Sequence, residues 1–443
     1  MKYRKLSVAA DKNEFILRVY MMTIFALLLL RDILNIGINR YVFVALSGLF
    51  FLICNNLTCV YILIFLMPLF CGLPAAHIRL VAMAILLVRS RKISVGTLLL
   101  LAYVTAAEVV ASTWYSSGSL GDVIGYISAP ILFFYLLWED RHYEEIGIDY
   151  KKCIDLFLTA FVFICGIMLI NSIGKASGGI VQYLVGGGFR NNFKETGAVE
   201  GVAIRMNANT FADFACVSVS LCLVLVQLMK QRENKTAGYY TLAVIFSCLG
   251  ILSLSRTCII TLLLIWAIYI ILNMKSPKQV VGSILLAIIA VTAVVVIMDK
   301  IPALSDSILN RFQDSNTQTA GGRTEVFALY LDIFLHNPRF MLIGTGVARY
   351  QEVAGAWISM HNGTEQILVC MGIPGFVLFL YGMLAPVIRA KRRKKIPLFA
   401  WAPLIAGIFF TQSIQFLNPT ILMFPYIMGY YAIKLYSAAP QAE

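Results

Sequence analysis

The sequence predicts an all-α polytopic transmembrane helix bundle of about 12–14 spans, with a large outer loop bearing short helices. Three observations predict it. Of the 443 residues 60% are hydrophobic and only 13% charged, where a soluble domain would carry about a quarter charged. Apolar runs of roughly 20 residues recur along the whole length, each long enough to cross a bilayer. Basic residues gather in alternate loops, as the positive-inside rule expects. In lipid every backbone polar group must be satisfied within its own segment, so spans this apolar are helices. The alternating pattern of a membrane barrel is absent.

Candidate spans run at 15–30, 41–54, 57–72, 78–88, 94–112, 123–138, 154–173, 208–229, 237–254, 255–273, 281–298, 362–388, 397–414 and 418–436. The first follows basic residues without a small-residue cleavage site and reads as an anchor. The run 78–88 is short for a crossing and reads as re-entrant or interfacial, and 237–254 joins 255–273 with almost no linker. The chain then divides into a bundle at 1–298 with an outer loop at 174–206, a large extracytoplasmic loop at 299–361, and C-terminal helices at 362–443.

Charge tests this threading. With Lys2, Arg4, Lys5 and Lys12 in the cytoplasm, the alternate loops are basic too, through Arg89, Arg91 and Lys92, then Arg141, Lys151 and Lys152, then Lys230, Arg232 and Lys235. The strongest is RAKRRKK, Arg389 to Lys395, while the intervening loops 113–122 and 415–419 hold no Lys or Arg. Both termini are thus expected in the cytoplasm. The same rule accounts for the formal net charge of +13, and no nucleic-acid partner is expected. The 10 cysteines are scattered without a CxxC pair and read as packing residues.

Within the large loop, Ser305 to Phe312 reads as a short capped helix and Thr324 to Leu335 as a mostly apolar one, lying on the membrane surface or over the bundle. Arg256, in LSLSRTCII, falls between two apolar runs. An arginine at membrane depth either serves a function or snorkels to the interface. Arg205 and Asn209 lie at the entry to span 208–229, in RMNANTFADF, with Asp213 one turn inside as a structural partner for an arginine. Glu108 lies within a span and is a second such partner or reaches water. Arg190 follows a GGG tract. Arg323 opens the TEVF helix, where a cation is unfavourable and so has another partner.

The outer face therefore gathers Arg190, Arg205, Arg256, Arg323 and Arg349 with few acids to neutralise them. Guanidinium groups grip phosphate oxygens two at a time and stay charged, so the cluster suits an anionic, lipid-bound ligand such as a polyprenyl pyrophosphate. In SMHNGTEQILV, Asn362 with Glu365 three residues on has the form of a capping box. It leaves His361 unexplained, near the positive end of a helix, where the ring would stay neutral.

Three patterns together resemble the O-antigen polymerase and O-antigen ligase superfamily (the Wzy and WaaL types). They are SLSR ending at Arg256, GGRTEVFALYLDIFLHNPRFMLIGTG at 321–346, and His361–Asn362 followed by a span with GIPG at Gly372 to Gly375. RMNANTFADF is a weaker fourth. The likeness covers roughly Arg205 to residue 388, and the N-terminal half carries no matching motif. It implies a GT-C-like membrane glycosyltransferase, working outside the cytoplasmic membrane without a metal or other cofactor. The chain indeed has no DxD.

By the same resemblance Arg256 and Arg205 would hold the pyrophosphate, and His361 would activate or position the acceptor. Arg323, Arg190, Asn362 and Asn209 are looser substrate-binding candidates. The implied partners are a polyprenyl-pyrophosphate-linked glycan donor, a glycan acceptor, membrane lipid, a chain-length regulator and a flippase. Polymerisation of O-antigen, capsule or exopolysaccharide repeat units is the first expectation. Ligation to a lipid A core is the second, with transfer to protein a further branch of the same chemistry. A lipid-linked glycan flippase is the alternative from another class, against which the long loop and the lack of a repeat argue.

Overall fold

A computed structural model describes residues 2–90, 93–115, 120–176, 179–193, 203–204, 206–231, 235–273, 323–348, 350–356, 359–393, 396–412 and 423–438, with single positions 281, 302, 306, 309 and 417. Every regular element among them is helical. Arg205 and Arg349 lie outside the described residues, as do nearly all of the expected span 281–298 and of the helix expected at 305–312.

The first half contributes α1 (Lys2–Asp32), α2 (Arg40–Ile53), α3 (Asn56–Leu69), α4 (Ala75–Arg89), α5 (Val95–Trp114), α6 (Leu120–Trp138), α7 (Asp140–Glu145) and α8 (Tyr150–Lys175). The second contributes α9 (Ala208–Gln231), α10 (Ala237–Leu252), α11 (Arg256–Asn273), α12 (Arg323–Leu335), α13 (Pro338–Ile343), α14 (Tyr350–Val353), α15 (Gly363–Arg393), α16 (Ala402–Thr411) and α17 (Phe424–Ala438). Among the described residues six helices are long and apolar enough to cross a membrane, and five shorter ones are apolar over 10–17 residues. The protein is therefore a multi-pass membrane bundle. The short run expected at 78–88 is α4, a 15-residue helix packed on α2 and α6.

At the centre is α9, apolar on all sides and almost wholly buried. It packs on α10, α11, α16 and α17. Cysteines serve as small packing residues here: the thiols of Cys216 and Cys258 meet at 3.5 Å where α9 meets α11. Asp213, one turn inside α9, has no described arginine as partner, and its Oδ1 is buried without a hydrogen bond among the described residues.

Two devices shape one end of the bundle. The first is a break in α15. At Gly372 the backbone turns to φ 68°, ψ 178°, and Pro374 has no N–H to offer the Cys370 carbonyl. The carbonyls freed there find other donors. Val369 O accepts from Thr345 N at 3.0 Å and Cys370 O from Gly346 N at 3.1 Å, while Met371 O accepts from the Tyr103 hydroxyl at 3.0 Å. The GTG segment approaches this closely because Gly344 has no side chain, a Cβ there standing 2.2 Å from Cys370 O.

Glu108 completes this latch. Its place within a span predicts an arginine partner or access to water. Instead its buried carboxylate accepts from Val347 N at 2.6 Å and Ala348 N at 2.9 Å. A carboxylate taken out of water needs such bonds, and these tie α5 to the loop.

The second device is the turn between α10 and α11. Leu254 adopts φ 50°, a conformation costing a non-glycine residue about 1–2 kcal/mol. Arg190 Nη1 donates to the Ser253 carbonyl at 2.7 Å, and Ser253 Oγ bonds back to Gly250 O at 2.6 Å. The strained reversal starts α11 at Arg256.

At the opposite end, where the basic loops lie, Lys434 is buried against Asp140 at 2.8 Å and against Glu144. Tyr150 and Tyr430 donate to the same Asp140 carboxylate at 2.6 and 2.9 Å. A buried ion pair is tolerated when further hydrogen bonds satisfy it, and this one anchors α17 to α7.

Candidate functional site

The cleft at the loop-bearing end is assembled from α12, α15 and the segment before α15. Val326, Tyr330 and Phe334 form the buried stripe of α12 at four-residue spacing. That stripe lays α12 against α13 and α15, so α12 covers the bundle. Burying three such side chains contributes roughly 1.5–3 kcal/mol each, and it holds Arg323, at the start of the helix, over the mouth of the bundle.

His361 is fixed from both sides. Before it, Met360 N donates to the Tyr350 hydroxyl at 3.2 Å, and the Tyr350 ring rests 5.8 Å from that of Tyr330. After it, Asn362 Oδ1 accepts from Thr364 N at 2.9 Å and Glu365 N at 3.1 Å. Asn362 is thus the helix cap that the sequence reading made it, and its side chain is committed to that task. The other half of the expected capping box does not form. Neither carboxylate oxygen of Glu365 has a hydrogen-bond partner among the described residues. Gln412 Nε2 donates to Thr364 Oγ1 at 2.9 Å and brings the end of α16 alongside.

These residues enclose about 230 Å³, lined by Arg323, Thr324, Phe327, His361, Asn362, Glu365 and Gln412. At ~30 Å³ per water this is roughly eight waters' share of liquid volume, on the scale of one sugar ring.

The charges are uneven. Burial holds the Arg323 guanidinium below its ordinary value, and the neighbouring Arg256 charge adds to this. Two cations thus face each other with no acid between them among the described residues, and Arg256 Nε is buried without a hydrogen bond. Burial also lowers His361, with the Arg323 charge as the second cause. Its ring therefore titrates below the ~6.5 of an unfolded chain. Between those two values the unfolded chain binds more protons. The stability that this group contributes is complete above about pH 6.5 and is lost as pH falls through the folded value.

One expected outcome follows from this. In Arg323→Gln the midpoint of His361 should move to higher pH. Ring-labelled histidine read by NMR, its signal assigned by loss in His361→Gln, measures it. An unmoved midpoint would remove the Arg323 charge from the account.

The structure therefore brings Arg256, Arg323, His361 and Asn362 to one end of the bundle, and Arg190 joins them indirectly through the Ser253 turn. Asn209 does not line the cleft. The cap of α9 is Asn207, whose Oδ1 accepts from Thr210 N at 2.7 Å. Sequence reasoning missed Phe327 and Gln412 as lining residues and misassigned Glu365. The one available signal was an acid in the first turn of an apolar span.

A second cleft of about 440 Å³ holds Arg31, Arg40, His77, Arg79 and Tyr126. It lies at the same end, because α6 and α15 run in parallel: Trp138 Nε1, ending α6, donates to Gly382 O at 2.9 Å. Its arginines are already engaged. Arg31 pairs with Asp32 at 2.8 Å, and Arg79 donates to Ser128 Oγ at 3.0 Å.

Fold and site together define a polytopic helical membrane protein with an arginine pair, unneutralised among the described residues, beside a histidine-bearing cleft. Residues 241–380, about a third of the chain, match a family model described as O-antigen ligase. The match supports the O-antigen ligase and polymerase superfamily as the family of this chain, and with it a glycan-processing function of that general type on lipid-linked substrates. It contains Arg256, Arg323, His361, Asn362 and Glu365 and excludes Glu108, Arg190 and Asn209. No curated protein matches the sequence.

Proposed function

We propose that this protein is a membrane glycosyltransferase that polymerises polyprenyl-pyrophosphate-linked oligosaccharide repeat units on the outer face of the cytoplasmic membrane. The observation that carries this reading is the Arg256–Arg323 pair beside the cleft of His361, two cations that make no ion pair with an acid among the described residues. Such a pair repels itself when the site is empty and is relieved when a pyrophosphate arrives. Guanidinium groups meet phosphate oxygens in a forked geometry. Their charge counts most as negative charge grows on the departing pyrophosphate, so no metal ion is needed in this scheme. Arg205 would join them. The neutral His361 ring holds the acceptor hydroxyl by a hydrogen bond, in line with the anomeric carbon. Attack from the far side inverts that carbon. The α12 cover excludes water that would hydrolyse the donor.

The cleft faces outward in this reading, with the basic end and both termini in the cytoplasm. Purified protein in vesicles, given one lipid-linked repeat unit, should yield a ladder of longer glycans on gels. A single transfer that requires added lipid A core would make it a ligase instead. No transfer to any acceptor would overturn the glycosyltransferase reading.

A further inference from the structure

Resting on that reading, we infer that Glu365 is the catalytic base that takes the proton of the acceptor hydroxyl. Its side chain lines the same cleft as His361 and Arg323, yet only 4% of the residue is exposed. Burying a carboxylate costs several kcal/mol unless partners replace the lost water. The obvious structural partner is the backbone N–H of Asn362, which a glutamate at this position of a capped helix normally engages. That bond is not made, and both oxygens stand without a partner among the described residues. Arg323 shares the cleft without pairing with it. Burial opposes the charge and the helix N-terminus favours it, and the Asn362 cap fixes the Glu365 backbone. What remains is a cleft of about 230 Å³ lined by an unpartnered carboxyl group and a guanidinium.

The step balances within the cleft. The acceptor oxygen forms the new bond to the anomeric carbon. The bond from that carbon to the pyrophosphate oxygen breaks, and its electron pair leaves with the pyrophosphate. The hydroxyl proton passes to a Glu365 oxygen and then to water at the open side. His361 orients the hydroxyl, and Glu365 receives the proton.

The test uses full-length protein in vesicles with the lipid-linked repeat unit. Glu365→Gln keeps the shape and removes the base. It should lower kcat by about 10²–10⁴-fold, with KM and thermal midpoint little changed. Azide needs no deprotonation, so added azide should restore donor consumption in Glu365→Gln and yield a glycosyl azide. Glu365→Asp, a carboxylate one methylene shorter, should retain more activity than Glu365→Gln. Chain extension by Glu365→Gln within threefold of the unaltered protein overturns the inference alone. So does a slow variant whose donor consumption azide leaves unchanged. If Glu365→Gln does not fold, Glu365→Ala with azide carries the test, and no gain in donor consumption there overturns the inference as well. An unaltered protein that neither extends nor cleaves the donor overturns the function and the inference together.

Discussion

Arg256→Ala is expected to lower chain extension by about 10²–10³-fold, the loss seen when one preorganised donor to a developing negative charge is removed. The thermal midpoint should be equal or higher, because the substitution removes a cation that opposes Arg323. It also removes a buried Nε without a partner. Loss of activity without loss of stability is the signature of a side chain kept for its ligand. Arg256→Lys should be nearly as poor, since an ammonium cannot grip two phosphate oxygens from one plane. Initial rates from a lipid-linked donor, with thermal unfolding in the same detergent, give both readouts. A lysine variant at full rate would reduce Arg256 to a charge anchor, and an alanine variant at full rate would remove it from the chemistry.

Gly344→Val is expected to destabilise the protein by about 3–5 kcal/mol, among the largest effects of a single substitution. Gly344 sits at φ 83°, ψ −177°, a region essentially reserved for glycine and costing other residues about 1–3 kcal/mol. A Cβ there would also fall 2.2 Å from Cys370 O and 2.6 Å from Met371 N. The loop would have to withdraw, and with it the bonds from Thr345 and Gly346 to the broken stretch of α15. The carbonyls of Val369 and Cys370 would then be buried without these donors. The control is Gly355→Ala. Gly355 also has positive φ, at 66°, but open space beyond its Cα. It should cost only about 1–2 kcal/mol. Thermal midpoints of the two variants should separate clearly, and equal midpoints would mean that the latch does not hold the loop.

The membrane bundle was legible in the sequence for a simple reason. Lipid demands that backbone bonds close within each span, so hydropathy alone identifies helices such as α8, α9 and α11. The turn between α10 and α11 was legible too, because two apolar runs met with no room for a loop. The Asn362 cap was readable because a cap is settled within three residues of chain.

Polar partners were not readable in the same way. Glu108 bonds residues 239 and 240 positions away, and nothing local to its span points to them. Arg190 reads as a free cation after three glycines, yet it holds a turn 63 residues on. GTG and GIPG look like a turn and a kink, and their meaning is that each fills the gap the other leaves. Glu365 was misread for the opposite reason: a plausible local bond was available, and the fold leaves it unmade.

The sequence by itself determined a multi-pass helical protein, its basic and loop-bearing ends, and the residue types from which a pyrophosphate site could be built. Those follow from hydropathy and charge, whose free energies are summed along short stretches of chain. Only the tertiary structure decided that Arg323, His361 and Glu365 line one cleft with Arg256 beside it, while Arg190, Asn209 and Glu108 do not line it. A buried polar group bonds whatever the packing brings within about 3 Å, and packing is decided by which distant helices meet.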